Sequence, residues 1–253
     1  MFRKTLYITV ALITVWWIGG CEKGNPVVAV GDSPRIFPLA KGNTWTYDQT
    51  IVYTTSETTI TRTCPLDSPI TFNGLKWYGM NNFCVDCDVP VGMSPTPLVC
   101  VLFARNGMKL LALRSIGLMG GNPEVILDFP LTPGKTWTIF SSDTTYVIAT
   151  GDTIHSRQLS RRYMRAVEPV TVPAGTFWAC YHIEDSTSYL STVARAGGAR
   201  DTALTLMVTH EWFAGGVGLV RQIVNYFNSG DFVDLRSTRE ELRSYSLLPD
   251  DGP

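Results

Sequence analysis

From Trp45 onward the chain alternates in twos. Trp45, Tyr47, Gln49, Ile51 and Tyr53 share one parity, and the run 58–63 continues in mostly β-branched residues. In a strand, successive side chains point to opposite faces, so this spacing commits one set to a buried face and the other to solvent. The same reading applies to 75–80, 124–128, 136–149, 158–167, 176–190, 203–213, 217–227 and 232–246. Segments 98–105 and 108–114 flank Asn106-Gly107, the pair favoured in a two-residue type I′ hairpin because both central positions need positive φ. No long segment has amphipathic helical spacing with caps at both ends. The expected fold is all-β: about ten strands in a twisted, curved antiparallel sheet, open like half a barrel.

One phrase occurs twice. FPLAKGNTWT begins at Phe37 and FPLTPGKTWT at Phe129, with seven of ten positions identical and a spacing of 92 residues. Each copy reads as an extended approach, a turn at glycine and a strand that opens with its Trp on one face. The spacing exceeds that of solenoid or propeller repeats and is consistent with two duplicated half-sheets, with Trp45 and Trp137 as equivalent anchors. The alternative makes Trp45 and Trp137 a pair of ligand-facing aromatics.

The N-terminus has a different character. Arg3 and Lys4 precede a fourteen-residue apolar stretch, 5–18, and then Ile18-Gly19-Gly20-Cys21. Fourteen residues are short for a bilayer span, which takes about 20, and fit the apolar region of a signal peptide. The segment resembles the bacterial lipoprotein signal. That resemblance implies cleavage before Cys21, acyl chains on the Cys21 sulfur and often on the new amino group, and stable anchoring, since two or more chains hold where one is marginal. Glu22 stands where Asp would retain an enteric lipoprotein in the inner membrane, so the outer membrane is expected, on its periplasmic or surface face. The resulting division is a signal at 1–20, a lipidated cysteine and flexible tether at 21–35, one β domain at 36–248, and a disordered tail at 249–253.

Composition agrees with an envelope protein. Charged residues make up 17% of the chain and the net charge is −1, so no long-range field attracts a polyanion and nucleic acid is not an expected partner. Beyond Cys21, the cysteines are Cys64, Cys84, Cys87, Cys100 and Cys180. In an oxidising compartment, Cys64, Cys84, Cys87 and Cys100 are candidates for two disulfides, with three connectivities open. They could instead bind zinc, though the outer pair lacks knuckle spacing. Cys180, inside a strand, reads as a small buried apolar residue.

Chemistry is sparsely signalled. The chain has no G-x-S-x-G elbow and no H-E-x-x-H, and its three histidines are His155, His182 and His210. His182 and Glu184 share a strand face and His210 lies beside Glu211, which leaves a surface metal site conceivable. A solvated face is the plainer reading, and no metal or cofactor is expected. Arg157, Arg161, Arg162 and Arg165 form the dense basic stretch, either a solvated strand face or a contact for acidic lipid or glycan. Gly215, Gly216 and Gly218 suit a turn and a close backbone approach, with no phosphate-loop Lys after them.

The phrases FPLxxGxxW at Phe37, VPAGTF at Val172, GVGLV at Gly216 and the Ser244–Ser246 end resemble a group of bacterial lipoproteins often termed TapB-like. The resemblance covers 37–248 and implies a curved antiparallel sheet with no established activity. The segment between Asn81 and Pro97, which holds Cys84 and Cys87, departs from that pattern. The reading as a whole is a non-enzymatic binding, interaction or structural module anchored in the membrane, its partner another envelope protein, a glycan or lipid. The alternative is a carrier of an apolar ligand on the concave face.

Overall fold

The computed structural model describes residues 34–81, 101–114, 123–195, 197–228 and 235–249. Within them lie thirteen strands: β1 (Thr44–Tyr53), β2 (Glu57–Pro65), β3 (Ile70–Phe72), β4 (Leu75–Met80), β5 (Val101–Asn106), β6 (Lys109–Arg114), β7 (Glu124–Asp128), β8 (Thr136–Val147), β9 (Thr153–Val172), β10 (Gly175–Ala194), β11 (Arg200–Ala214), β12 (Gly218–Asn228) and β13 (Leu235–Ser246). The all-β antiparallel expectation holds, but the strands form two sheets where one was expected. An eight-stranded sheet has the order β2-β1-β13-β12-β11-β10-β9-β8, and a five-stranded sheet the order β3-β4-β5-β6-β7. The large sheet is open, with β2 and β8 as its edges.

Turn chemistry explains the hairpins, with one shift. Asn106 pairs with Lys109, so the turn residues are Gly107 and Met108. Only Gly107 has positive φ there, at +56°, which is the pattern of a II′ turn with glycine first. The Asn-Gly pair with two positive φ values is Asn73-Gly74, at +50° and +75°, between Phe72 and Leu75. The longest hairpin, β9 to β10, turns at Pro173-Ala174, and Phe177 just beyond is buried as expected.

One contiguous core joins the sheets. The large sheet contributes Trp45, Tyr47, Met164, Ile183, Phe213, Leu219 and Leu242, and the small sheet contributes Tyr78, Val101, Phe103, Leu110 and Leu127. Phe37, just ahead of β1, is the wedge between them. Its ring stacks on Trp45 and on Phe103, with centroids 5.1 Å away in both cases. Arg105 of β5 donates to the Phe37 carbonyl at 2.7 Å. The same ring explains Gly218, where a Cβ would come within 2.6 Å of it. Trp45 Nε1 then donates to the Val217 carbonyl at 2.7 Å, and the Tyr47 hydroxyl to that of Leu219 at 2.9 Å. These bonds tie β1 to the start of β12 past the last β12–β13 ladder pair, Arg221 with Glu241.

The repeated phrase is therefore local scaffold. In both copies the Phe and Leu are buried: Phe37 and Leu39, Phe129 and Leu131. Each Trp is the second residue of its strand, Trp45 in β1 and Trp137 in β8. The copies do not open two equal half-sheets, however. Residues 37–128 supply β1 to β7, including the whole small sheet, and the remainder supplies β8 to β13. Nor are the two Trp residues equivalent. Trp45 is fully buried beside β2, whereas Trp137 lies half-buried on edge strand β8 and donates to the Val125 carbonyl of β7 at 2.9 Å. Trp45→Ala should cost about 3–5 kcal/mol, the range for deleting a large core aromatic. Trp137→Ala should cost distinctly less. Urea midpoints of the two variants check this, and equal losses would contradict it.

Candidate functional site

Strand alternation gives the large sheet an inner face toward the small sheet and an outer face toward solvent. Each carries a polar constellation. On the inner face Arg162, 1% exposed, is the centre. Its Nε lies 3.3 Å from Asp185 Oδ2 and its Nη1 2.7 Å from Glu211 Oε2, and Nη1 also donates to the Ile126 carbonyl of β7 at 3.0 Å. Ser160 and Thr187 donate to Asp185, and Gln222 donates to Glu211 at 3.0 Å. Nearer the other edge, Arg62 of β2 pairs with buried Glu240 of β13. Burial holds the Arg62 pKa below its ordinary value. Arg162 and Glu240 are withdrawn from water, and breaking such a pair by removing one partner is strongly destabilising because it strands a buried charge. The belt is built to hold the sheets in register. The adjoining cavity, lined by Phe37, Phe103, Arg162, Glu211, Phe213 and Leu219, has room for about one water molecule.

The outer face carries the better candidate. His182 of β10 lies directly opposite Trp212 of β11, and Glu184 opposite His210. The His182 and Trp212 rings stack at 4.4 Å with planes 16° apart. His182 Nε2 and His210 Nδ1 are 3.1 Å apart, so one ring donates and the other accepts. Glu168 of β9 closes the group: its Oε1 accepts from Trp212 Nε1 at 2.6 Å and lies 3.2 Å from His182 Nδ1. Arg221 of β12 sits 5.9 Å from the Trp212 ring and pairs with Glu241 at 2.8 Å. Arg165 grips Glu184 with two nitrogens and lies 5.0 Å over the Tyr163 ring. That grip holds the Glu184 carboxyl below the usual range and raises Arg165. Burial lowers the pKa of His182, with Glu168 opposing the shift. A flat aromatic system beside paired charges can stack on a planar or ring-shaped group and hydrogen-bond its rim.

Several sequence expectations change here. Glu211 does not join His210, because consecutive strand residues face opposite ways: His210 is outside and Glu211 is in the inner belt. The basic stretch divides for the same reason. Arg162 is buried, Arg157, Arg161 and Arg165 are exposed, and Arg165 is spent on Glu184. Among the described residues no group of His, Cys, Asp and Glu is arranged to hold a metal ion. A ligand platform built on Trp45 and Trp137 is excluded at Trp45, whose ring is fully buried. Cys64 is buried on β2 opposite Trp45 of β1, and burial pushes its thiol pKa up to about 11. Cys84, Cys87, Cys100 and the lipidation candidate Cys21 lie outside the described residues, so the pairing of Cys64 with that group is untouched. Cys180 is a buried thiol, with its pKa pushed up to about 12. Trp212, Glu168 and Arg221 were missed. They sit 44 and 9 positions apart in the chain and meet only through strand register.

No protein-family model matches the chain, and no curated protein matches it. Two solved structures align with it. One, from Bacteroides fragilis, is described as an exported protein with a YmcC-like fold; it is 15% identical over 83% of this chain and 98% of its own, with a TM-score of 0.42. The other, from Parabacteroides distasonis, is described as a lipoprotein; it is 12% identical over 83% of this chain and 98% of its own, with a TM-score of 0.39. Those descriptions belong to the two proteins, and neither brings an activity to this chain.

The His182 environment sets a pH dependence. Its folded pKa lies below the ordinary 6.5, so as pH falls below that value the unfolded chain takes the proton first and stability declines. The loss saturates once pH passes the folded pKa. His182→Gln should flatten this limb of a plot of urea midpoint against pH between about 7 and 5. An unchanged slope would show that His182 is not held neutral.

Proposed function

We propose that the chain is a lipid-anchored protein of the cell envelope whose β domain binds a partner on its outer surface and performs no catalysis. The anchor rests on Ile18-Gly19-Gly20-Cys21 following a short apolar run behind two basic residues. The resemblance of its short motifs to TapB-like lipoproteins supports the same placement. Glu22 favours the outer membrane.

The mode of binding rests on one observation: among the described residues the space between the sheets is filled. Phe37, Trp45, Phe103 and Phe213 occupy it, and the cavity beside Arg162 has room for about one water. A drug-sized or lipid-sized ligand takes a pocket of roughly 300–1,000 Å³. The outer face instead presents Trp212, His182, Arg165 and Arg221 as an aromatic and charged patch. Aromatic residues and Arg are the types enriched at interfaces, and they suit a protein or glycan partner in the envelope. The carrier reading draws no comparable support from the described residues.

Cys21→Ser tests the anchor. The variant should leave the detergent-extracted membrane fraction for the soluble one, or stay uncleaved with a mass that retains residues 1–20. A cleaved chain that remains in the membrane fraction without acyl mass would refute the lipoprotein reading.

A further inference from the structure

Seven strand ends gather at one end of the large sheet. β1, β10 and β12 begin there, and β2, β9, β11 and β13 finish there, as the antiparallel registers require; β8 runs the same way as β10 but starts further in, with Thr136 opposite Tyr163 of β9. The chain enters the fold at this same end. Ile36 and Phe37 are buried, and Phe37 lies against Trp45 and Gly218, the second residue of β1 and the first of β12.

This end carries an apolar set that the core does not use. Trp178 is 74% exposed, Leu248 53% and Tyr245 38%. All three lie at this end: the ring of Phe177 is 6.3 Å from that of Tyr245, which sets the start of β10 beside the end of β13, Trp178 is the next residue of β10, and Leu248 follows Tyr245 by three residues. Leu248 is fixed by its amide, which donates to Asn43 Oδ1 at 2.6 Å just ahead of β1. Trp178 owes its position to a register shift. The β9–β10 ladder passes from Phe177 to Cys180 and leaves Trp178 and Ala179 outside the pairing. Such a bulge re-aims a side chain at the expense of ladder bonds.

Twelve residues, 22–33, lie between Cys21 and Pro34, where the described chain begins. The thirteen Cα-to-Cα steps they make can reach at most about 45 Å. The twenty-residue strands β9 and β10 run for about 65 Å. With the chain entering at the Trp178 end, that end lies within reach of the lipid. The opposite end, with exposed Tyr146 and Val147, lies a strand length further away.

We propose that Trp178, Tyr245 and Leu248 rest on the lipid surface that holds the Cys21 acyl chains and so orient the sheet on the membrane. The inference rests on the lipoprotein reading. Trp and Tyr suit this place because their rings are apolar with one polar atom, which is why they collect at membrane interfaces. The acyl chains supply the attachment, and the three side chains supply the orientation.

The test uses the mature acylated protein in phosphatidylethanolamine/phosphatidylglycerol vesicles, with and without phosphatidylcholine brominated near its headgroup. Trp16 and Trp17 leave with the signal, Trp45 and Trp77 are fully buried, and Trp137 and Trp212 are partly buried, so Trp178, 74% exposed, is the most accessible of the described Trp residues and Trp178→Phe isolates its share of any quenching. The expected result is lower emission in brominated vesicles, with most of that difference lost in Trp178→Phe. Intact mass reports the acyl groups separately. Acyl mass on Cys21 with equal emission in both vesicles, or quenching undiminished in Trp178→Phe, overturns the contact and leaves the anchor standing. Absence of acyl mass overturns the anchor, and the contact with it.

Discussion

The Phe37 ring between Trp45 and Phe103 is the joint on which the two sheets depend. Each sheet alone has an apolar face that water would meet, and burying those faces against one another is the main favourable term available to an all-β chain. The ring meets one side chain from each sheet at 5.1 Å, and its position dictates a glycine at Gly218. Once Phe37 is seated, the Trp45 indole and the Tyr47 hydroxyl reach the carbonyls of Val217 and Leu219. Arg162 is a second joint of a different kind. It spans from the large sheet to the Ile126 carbonyl while holding Asp185 and Glu211. An apolar contact tolerates sliding; a buried guanidinium with fixed acceptors does not, so the belt specifies one register between the sheets.

Much of this architecture can be read from the chain. Alternation from Trp45 to Tyr53 correctly places Trp45 and Tyr47 inside, and VPAGTF correctly marks a corner with Phe177 buried beyond it. The division into two sheets is less visible, because alternation identifies strands without saying which strands pair. The Asn-Gly signal is real but stands at Asn73-Gly74. At Asn106 the ladder runs one residue further, and the turn moves onto Gly107-Met108. Arg162 looks like one member of a basic run, and only parity separates it from Arg161 and Arg165. The outer group is hardest to foresee. Glu168, His182, Trp212 and Arg221 come from four strands, and bulges in β9 and between β11 and β12 shift the register that unites them.

The inside and outside of the large sheet divide the work. The inner face is committed to holding the molecule together, and its polar residues serve that end through bonds across strands. Freed from packing, the outer face keeps half-exposed aromatic and titratable groups in contact with one another. The proposed lipid anchor would give such a surface a standing location and a high local concentration near neighbours in the envelope. The proposed partner-binding surface fits the described residues better than a chamber does, because their inter-sheet space already contains Phe37, Phe103 and Phe213.

The central claim is that the interior is filled by the protein's own side chains. Native mass spectrometry of the full-length gene product, purified from membranes in mild detergent, tests it most directly. The account predicts a mature chain beginning at Cys21 whose excess mass consists only of covalent acyl groups and persists on denaturation. A stoichiometric apolar molecule that travels with the native protein and is released on denaturation would contradict it.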